Sequence, residues 1–468
     1  VNVTEAAIEL VAGAPGESGE LKRSLKKRHV EMIAIGGIIG AGLFVGSSAS
    51  IAAIGPAVVL SYAAAGLIVL LVMRMLSEMA MAMPGVQSFP EFARLGLGAW
   101  AGFMSGWLYW YFWVVVVAVE AIAGASIIHT WVPGVPVWQI GVLLMAVLTG
   151  VNLLSTRSYG EFEFWLSSIK VAAILAFIVI AGSYAIGLVG GAGPTFANLT
   201  AHGGFMPHGP LSVLGGITSV IFALVGAEIA TIAAAESSES QRTVARMTST
   251  VAARILIFYV VSILLVVAVV PWRDILPGTS PFATALGRIG VPGGALMMNA
   301  VVLVAVLSCL NSGIYVTSRV MFGLAANGDA PRSLAATGAD GVPRRAILAG
   351  SLLSYAALAA SILSPQGAFA FLVNASGAIM LVLYLLIAVS QLRLRARIER
   401  DAPERLSIRM WLHPWGSILT IVAIVSVLAA MALDPRMASE FLASMLAVGI
   451  AGAGFVLFRR DRKTSPHA

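Results

Sequence analysis

Charge and cysteine are both scarce in this chain. Asp, Glu, Lys and Arg together make up 11% of the residues, against 59% hydrophobic. That balance is far from the soluble average. The single cysteine, Cys309, excludes an intramolecular disulfide. The six histidines fall in loops or near helix ends, without metal-ligand spacing. No Gly-Lys-Ser/Thr phosphate loop supports direct ATP drive, and no nucleophile elbow or zinc-protease pattern points to an enzyme. No metal and no cofactor are expected.

Apolar runs fill the chain instead. Stretches of about 20 apolar residues recur along nearly its whole length, as helices crossing a bilayer require. The pattern predicts an all-α membrane protein of twelve spans, near residues 32–54, 57–83, 100–131, 138–155, 163–189, 212–235, 249–270, 292–325, 344–363, 368–391, 413–433 and 438–458. These spans leave no room for a separate soluble domain. The expected organisation is a flexible tail (1–30), a core of ten spans (31–391), a charged loop (392–412), two further spans (413–458) and a second tail (459–468). The first 30 residues are polar and basic and lack a cleavable signal pattern, so the first span is expected to be retained.

The net charge of +7 reports orientation. Lys22, Arg23, Lys26, Lys27 and Arg28 precede the first span, and Arg393, Arg395, Arg397, Arg400, Arg405 and Arg409 follow the tenth. Arg459, Arg460, Arg462 and Lys463 follow the last, whereas the opposite loops hold only Arg273, Arg288 and Arg436. Positive charge collects on the cytoplasmic side of membrane proteins, so both termini are expected in the cytoplasm of a plasma (inner) membrane protein. A nucleic-acid partner is not expected.

Two spans carry glycine breaks in matching positions. The first reads Ile35-Gly36-Gly37-Ile38-Ile39-Gly40-Ala41-Gly42, the second Phe222-Ala223-Leu224-Val225-Gly226-Ala227-Glu228. A break inside a bilayer exposes backbone groups that lipid cannot satisfy, so it must line a cavity or be buried in protein. Paired breaks opening two five-span halves of opposite entry are the pattern of an inverted-repeat secondary transporter. The half-helix starting at Gly40-Ala41-Gly42 offers N–H groups and a positive dipole end to a carboxylate. The half-helix ending near Ile38 and Ile39 offers carbonyls to an ammonium group. Small-residue helix packing is the competing reading of the glycines.

Charged side chains inside spans are costly and functional by default. Glu228, just after the second break, can titrate, gate or brace the unwound segment. Lys170 in the fifth span is either a snorkelling lysine or a buried ammonium able to release its proton. Glu120 in the third span is a candidate for proton or substrate-amine contact. Arg74 and Glu78 stand four apart on one helical face, a spacing that allows them to pair, and read as structural residues or as part of an inner gate. The aromatic run from Trp107 to Trp113 reads as an interfacial belt or helix packing. Ser308, Asn311, Ser312, Asn374 and Ser376 read as interhelical hydrogen-bonding residues, any of which lines the site if it faces the breaks.

These segments resemble the amino acid–polyamine–organocation superfamily and, within it, the bacterial amino acid transporter family, with most likeness to its 4-aminobutyrate (GABA) permeases. The resemblance runs from Leu25 to about Phe458. It is carried by His29–Ser47, Met73–Met79, Gly106–Trp113, Gly160–Val171, Gly226–Glu236, Ser308–Arg319 and Ser376–Leu392. It implies a five-plus-five inverted repeat with broken first and sixth helices, two extra helices and alternating access. It also places Ile38 at the substrate amine and the Ala41 and Gly42 amides at its carboxylate. Phe222 and Val225 fall where sixth-helix carbonyls meet the amine, with Phe222 as a gate. Lys170 matches a lysine that replaces sodium in proton-coupled relatives.

The expected function is proton-coupled import of a small amino acid, GABA first. The expected substrate contacts are Ile38, Ile39, Gly40, Ala41, Gly42, Glu120, Phe222, Val225, Gly226 and Ser308, with Lys170 and Glu228 in proton coupling. The expected partners are substrate, protons and lipid; the sequence does not set the oligomeric state. Alternatives are a permease for proline, aromatic or branched-chain amino acids, an exchanger, or a non-transporting sensor.

Overall fold

The computed structural model describes residues 39–86, 88–154, 157–189, 195–226, 228, 251–338 and 341–464. Among these residues the elements are all helical. Among the described residues, nine helices are long and apolar enough to cross a membrane, and three shorter apolar helices accompany them. The shorter ones are α1 (Gly42–Ile54), α5 (Val137–Leu154) and α7 (Pro210–Leu224). Between and after them come α2 (Val58–Ala82), α3 (Phe89–Leu97), α4 (Ala99–Trp131) and α6 (Arg157–Ala185). The second half holds α8 (Val251–Val269), α9 (Pro281–Ile289), α10 (Gly294–Ala326), α11 (Arg344–Ala359) and α12 (Pro365–Asp401). Then follow α13 (Trp415–Leu433) and α14 (Ala438–Thr464).

Local chemistry starts several of these helices. Pro90, Pro210, Pro281 and Pro365 occupy first-turn positions, where a missing N–H costs nothing. Ser280 and Ser364 cap α9 and α12 by accepting from Ala283 N and Gly367 N. In α3, Phe89, Phe92, Ala93 and Gly96 are buried on one face, the spacing of an amphipathic helix.

Helix α4 is apolar on every side and almost wholly buried, as a central helix should be. It packs along α10 and α12, and α7 lies against α2 and α12. At a rise of ~1.5 Å per residue, the 33 residues of α4 are longer than the roughly 30 Å hydrocarbon thickness that a span requires. By contrast α14 buries little of its surface and turns apolar side chains such as Leu442, Leu446 and Ile450 outward.

Helix α12 continues to Asp401, past the end expected at residue 391. The extension brings Glu78 partners other than Arg74, which the four-residue spacing also allowed. Arg395 on the extension pairs with Glu78, and Gln391 Nε2 and the Met410 N–H each donate to Glu78 at 2.6 Å. Glu78 is 1% exposed, and three donors satisfy it better than one long side chain on its own helix. Arg74, still within electrostatic reach of Glu78, donates to the Arg409 carbonyl at 2.8 Å and lies 5.0 Å from the centre of the Trp411 ring.

Candidate functional site

The second break is explicit in the backbone. Helix α7 ends at Leu224, Val225 is extended (φ −62°, ψ 153°), and Gly226 takes φ +107°, a conformation that excludes a Cβ. Glu228 holds this turn. Its Oε2 accepts from the Gly226 N–H at 2.9 Å, and its Oε1 accepts from the Tyr109 hydroxyl at 3.1 Å. The bracing role expected as one alternative for Glu228 therefore has its geometry here. Both oxygens are engaged, which is how a fully buried carboxylate is kept satisfied.

At the first break, Ile39 and Gly40 are non-helical and the chain turns helical at Ala41. The first turn, Gly42–Gly46, is π-helical. No side chain of its own segment caps this start. Glu120 of α4 does so from 79 positions away, with the Ala41 N–H 3.0 Å from both Oε1 and Oε2.

The two breaks touch. A Cβ on Gly42 would lie 2.8 Å from Ala223 Cα and 3.1 Å from Phe222 Cδ1, so only glycine permits this approach. Farther along, the Ser50 and Ser219 hydroxyls join α1 to α7 at 2.9 Å. Between the breaks lies a cavity of about 20 Å³. Gly40 and Gly42 line it from α1, and Phe222, Ala223 and Val225 from the end of α7. Phe112, Trp113, Val116 and Glu120 line it from α4, and Cys309 from α10. This volume holds about one water, so an amino acid enters only if the walls move.

The cavity lies between two larger chambers. One, of about 560 Å³, sits where α3, the start of α4 and the end of α10 meet, and reaches Tyr109 and Glu228. Arg94 pairs with Asp329 across its rim. The other, of about 200 Å³, lies at the opposite end, among the end of α1 and the starts of α7 and α12.

The structure thus brings Gly40, Ala41, Gly42, Glu120, Phe222, Val225 and Gly226 to one place. Ile39 is fully buried in the core beside it. Ile38 lies outside the described residues. Ser308 is fully buried, but its neighbour Cys309 lines the cavity. Lys170 is fully buried as well, which removes the snorkelling alternative, and it lies within electrostatic reach of Glu120. Asn311 accepts from Asn152 at 2.8 Å, the interhelical bond expected of such residues.

The aromatic run of α4 divides between helix packing and the cavity wall. Trp107 and Trp110 pack in a side cluster, as a packing role requires. Phe112 and Trp113 instead wall the cavity, and Phe112 stands 5.8 Å from Phe222, ring centre to ring centre. Tyr109 reaches the Glu228 brace. Counting back from Glu120 by four, seven, eight and eleven gives Val116, Trp113, Phe112 and Tyr109, a helical face that the sequence already contained.

A multi-span helical protein whose two broken helices meet at a buried, polar-edged cavity is built like a membrane carrier of small molecules. The chain belongs to the amino acid permease family, which it matches over residues 29–463. It is 49% identical over 449 residues to the gamma-aminobutyric acid permease of Bacillus subtilis, covering 96% of each chain. With the gamma-aminobutyric acid permease of Escherichia coli K12 it shares 44% over 447 residues, 94% of each. The aromatic amino acid transport protein AroP of Corynebacterium glutamicum is 38% identical over 427 residues, covering 90% of this chain and 91% of that one.

Proposed function

We propose that this permease is a proton-coupled symporter that imports GABA by alternating access. The observation that carries the transport reading is the meeting of Gly42 with Phe222 and Ala223 around one cavity between two opposed chambers. The names and identities of the two GABA permeases support the substrate. In this reading the nine long and three shorter apolar helices make twelve spans. Spans one to five and six to ten form the inverted repeat within residues 31–391, and the last two spans (413–458) stand outside it. The distribution of arginine and lysine supports cytoplasmic termini in the inner membrane. The larger chamber then faces the cytoplasm.

The substrate carboxylate docks on the Ala41 and Gly42 amides, at the positive end of the α1 dipole. Its ammonium group meets carbonyls of Ile38, Ile39, Phe222 and Val225, with Gly40 and Gly226 giving backbone access and Ser308 close behind. Glu120 supplies the extra reach that a 4-amino acid requires. Lys170 carries the coupling proton, and Glu228 holds the second break while the site opens.

The relative that transports aromatic amino acids, together with the Phe112, Trp113 and Phe222 walls, favours a second reading as an aromatic permease. Uptake of radiolabelled GABA into proteoliposomes, competed with phenylalanine, proline and leucine, separates the two. Strong uptake resistant to those competitors is expected; phenylalanine uptake with weak GABA uptake would move the substrate.

A further inference from the structure

We infer that Glu120 is a built-in placeholder for the substrate's carboxylate. It holds the Ala41 amide until substrate loads, and then passes to the substrate's ammonium group. The inference rests on the substrate reading above and concerns how that same site is occupied.

The geometry makes the amide a single seat. The Ala41 N–H opens the α1 half-helix, where the dipole favours an anion, and it already faces both oxygens of a carboxylate at 3.0 Å. The seat is shaped for this side chain. A Cβ on Gly40 would lie 2.4 Å from Glu120 Oε1 and 2.8 Å from Cys309 Cβ, so the glycine leaves the space that the carboxylate fills. Two carboxylates drawn to this one N–H repel each other. Substrate and Glu120 therefore occupy the Ala41 amide in turn.

Displacement needs a destination for the freed charge. Glu120 is 2% exposed, and the surrounding walls are Phe112, Val116 and Phe222. An unpaired carboxylate among them is costly. The groups facing Glu120 from other helices are the Cys309 thiol of α10 and, at electrostatic range, Lys170 of α6. The α1 and α7 breaks present backbone and apolar side chains. A zwitterion solves the problem itself, because its carboxylate takes the amide while its ammonium receives Glu120. A monoanion brings no such partner. Glu120 thereby selects zwitterions against plain carboxylic acids.

The test compares GABA with butyrate, which is the same chain without the amine. Binding of both is measured on the purified full-length protein, its Glu120→Gln variant and its Glu120→Asp variant. Gln keeps the size and can still accept from Ala41 but repels no second carboxylate. The preference of the wild type for GABA over butyrate should fall by about 10-fold or more in Glu120→Gln and persist in Glu120→Asp. An unchanged preference in Glu120→Gln would overturn the placeholder. Should that variant fail to fold, infrared difference spectra of the wild type loaded with carboxylate-13C GABA read the same event. A protein carboxylate band that shifts on loading supports the exchange, and an unchanged carboxylate region overturns it. If the wild type prefers another amino acid, the substrate reading fails separately, and the same comparison with that amino acid and its deaminated acid decides the placeholder.

Discussion

Gly42 of α1 and Ala223 of α7 are packed so closely that a Cβ on Gly42 would sit 2.8 Å from Ala223 Cα and 2.9 Å from its Cβ. The obstacle is backbone, which cannot rotate aside. Gly42→Ala must push the two breaks apart, at the ~1–3 kcal/mol typical of overpacking. Substrate uptake is expected to drop on the order of 10- to 100-fold, with the protein still inserted and folded. Uptake within twofold of wild type would show that the junction is not part of the transport path.

Glu228 and Tyr109 should differ in cost. Tyr109→Phe removes one donor to a carboxylate that keeps its bond to the Gly226 N–H, a loss of roughly 1–3 kcal/mol. Glu228→Ala removes the acceptor that closes the Gly226 turn and leaves two donors without it. Thermal melting in detergent should rank wild type above Tyr109→Phe and Tyr109→Phe above Glu228→Ala. The reverse order would mean that the turn holds without its carboxylate.

The Glu78–Arg395 pair lies away from the cavity and should affect stability ahead of substrate choice. Arg395→Ala leaves buried Glu78 without its ion-pair partner, hydrogen-bonded to Gln391 and the Met410 amide, at a cost of about 3–5 kcal/mol. Adding Glu78→Gln to that variant should recover part of the melting temperature. Arg74→Ala, which loses a carbonyl contact and a stacked Trp411, should cost about 1 kcal/mol. Equal losses for Arg74→Ala and Arg395→Ala would mean that Arg395 is not the main partner of Glu78.

The sequence made the broken helices and the intramembrane charges legible because both violate the rules of a bilayer. Gly226 and the Gly40–Gly42 run stand out against apolar neighbours, and Glu120, Lys170 and Glu228 stand out by charge. Partners across the bundle were harder to read. The four-residue spacing of Arg74 and Glu78 suggested a local pair, whereas the donors to Glu78 come from more than 300 positions away. Ser308 and Cys309 differ by one step of a helix, about 100° of rotation, which sequence leaves open until the helix is packed. Phe112 and Trp113 were hidden among aromatics of which some, such as Trp107 and Trp110, do only pack.

Lys170 joins the site to the proposed driving force. It is fully buried on α6 and within electrostatic reach of Glu120. Lys170→Gln is expected to abolish accumulation driven by a proton gradient while leaving GABA binding measurable. Normal accumulation in that variant would remove Lys170 from the coupling.

The most direct measurement is uptake of radiolabelled GABA by proteoliposomes of the wild-type protein, with an inward proton gradient and no sodium. Accumulation above the external concentration, abolished by a protonophore, is the predicted result. GABA that only equilibrates across the membrane, or accumulates equally without the gradient, would contradict proton-coupled symport.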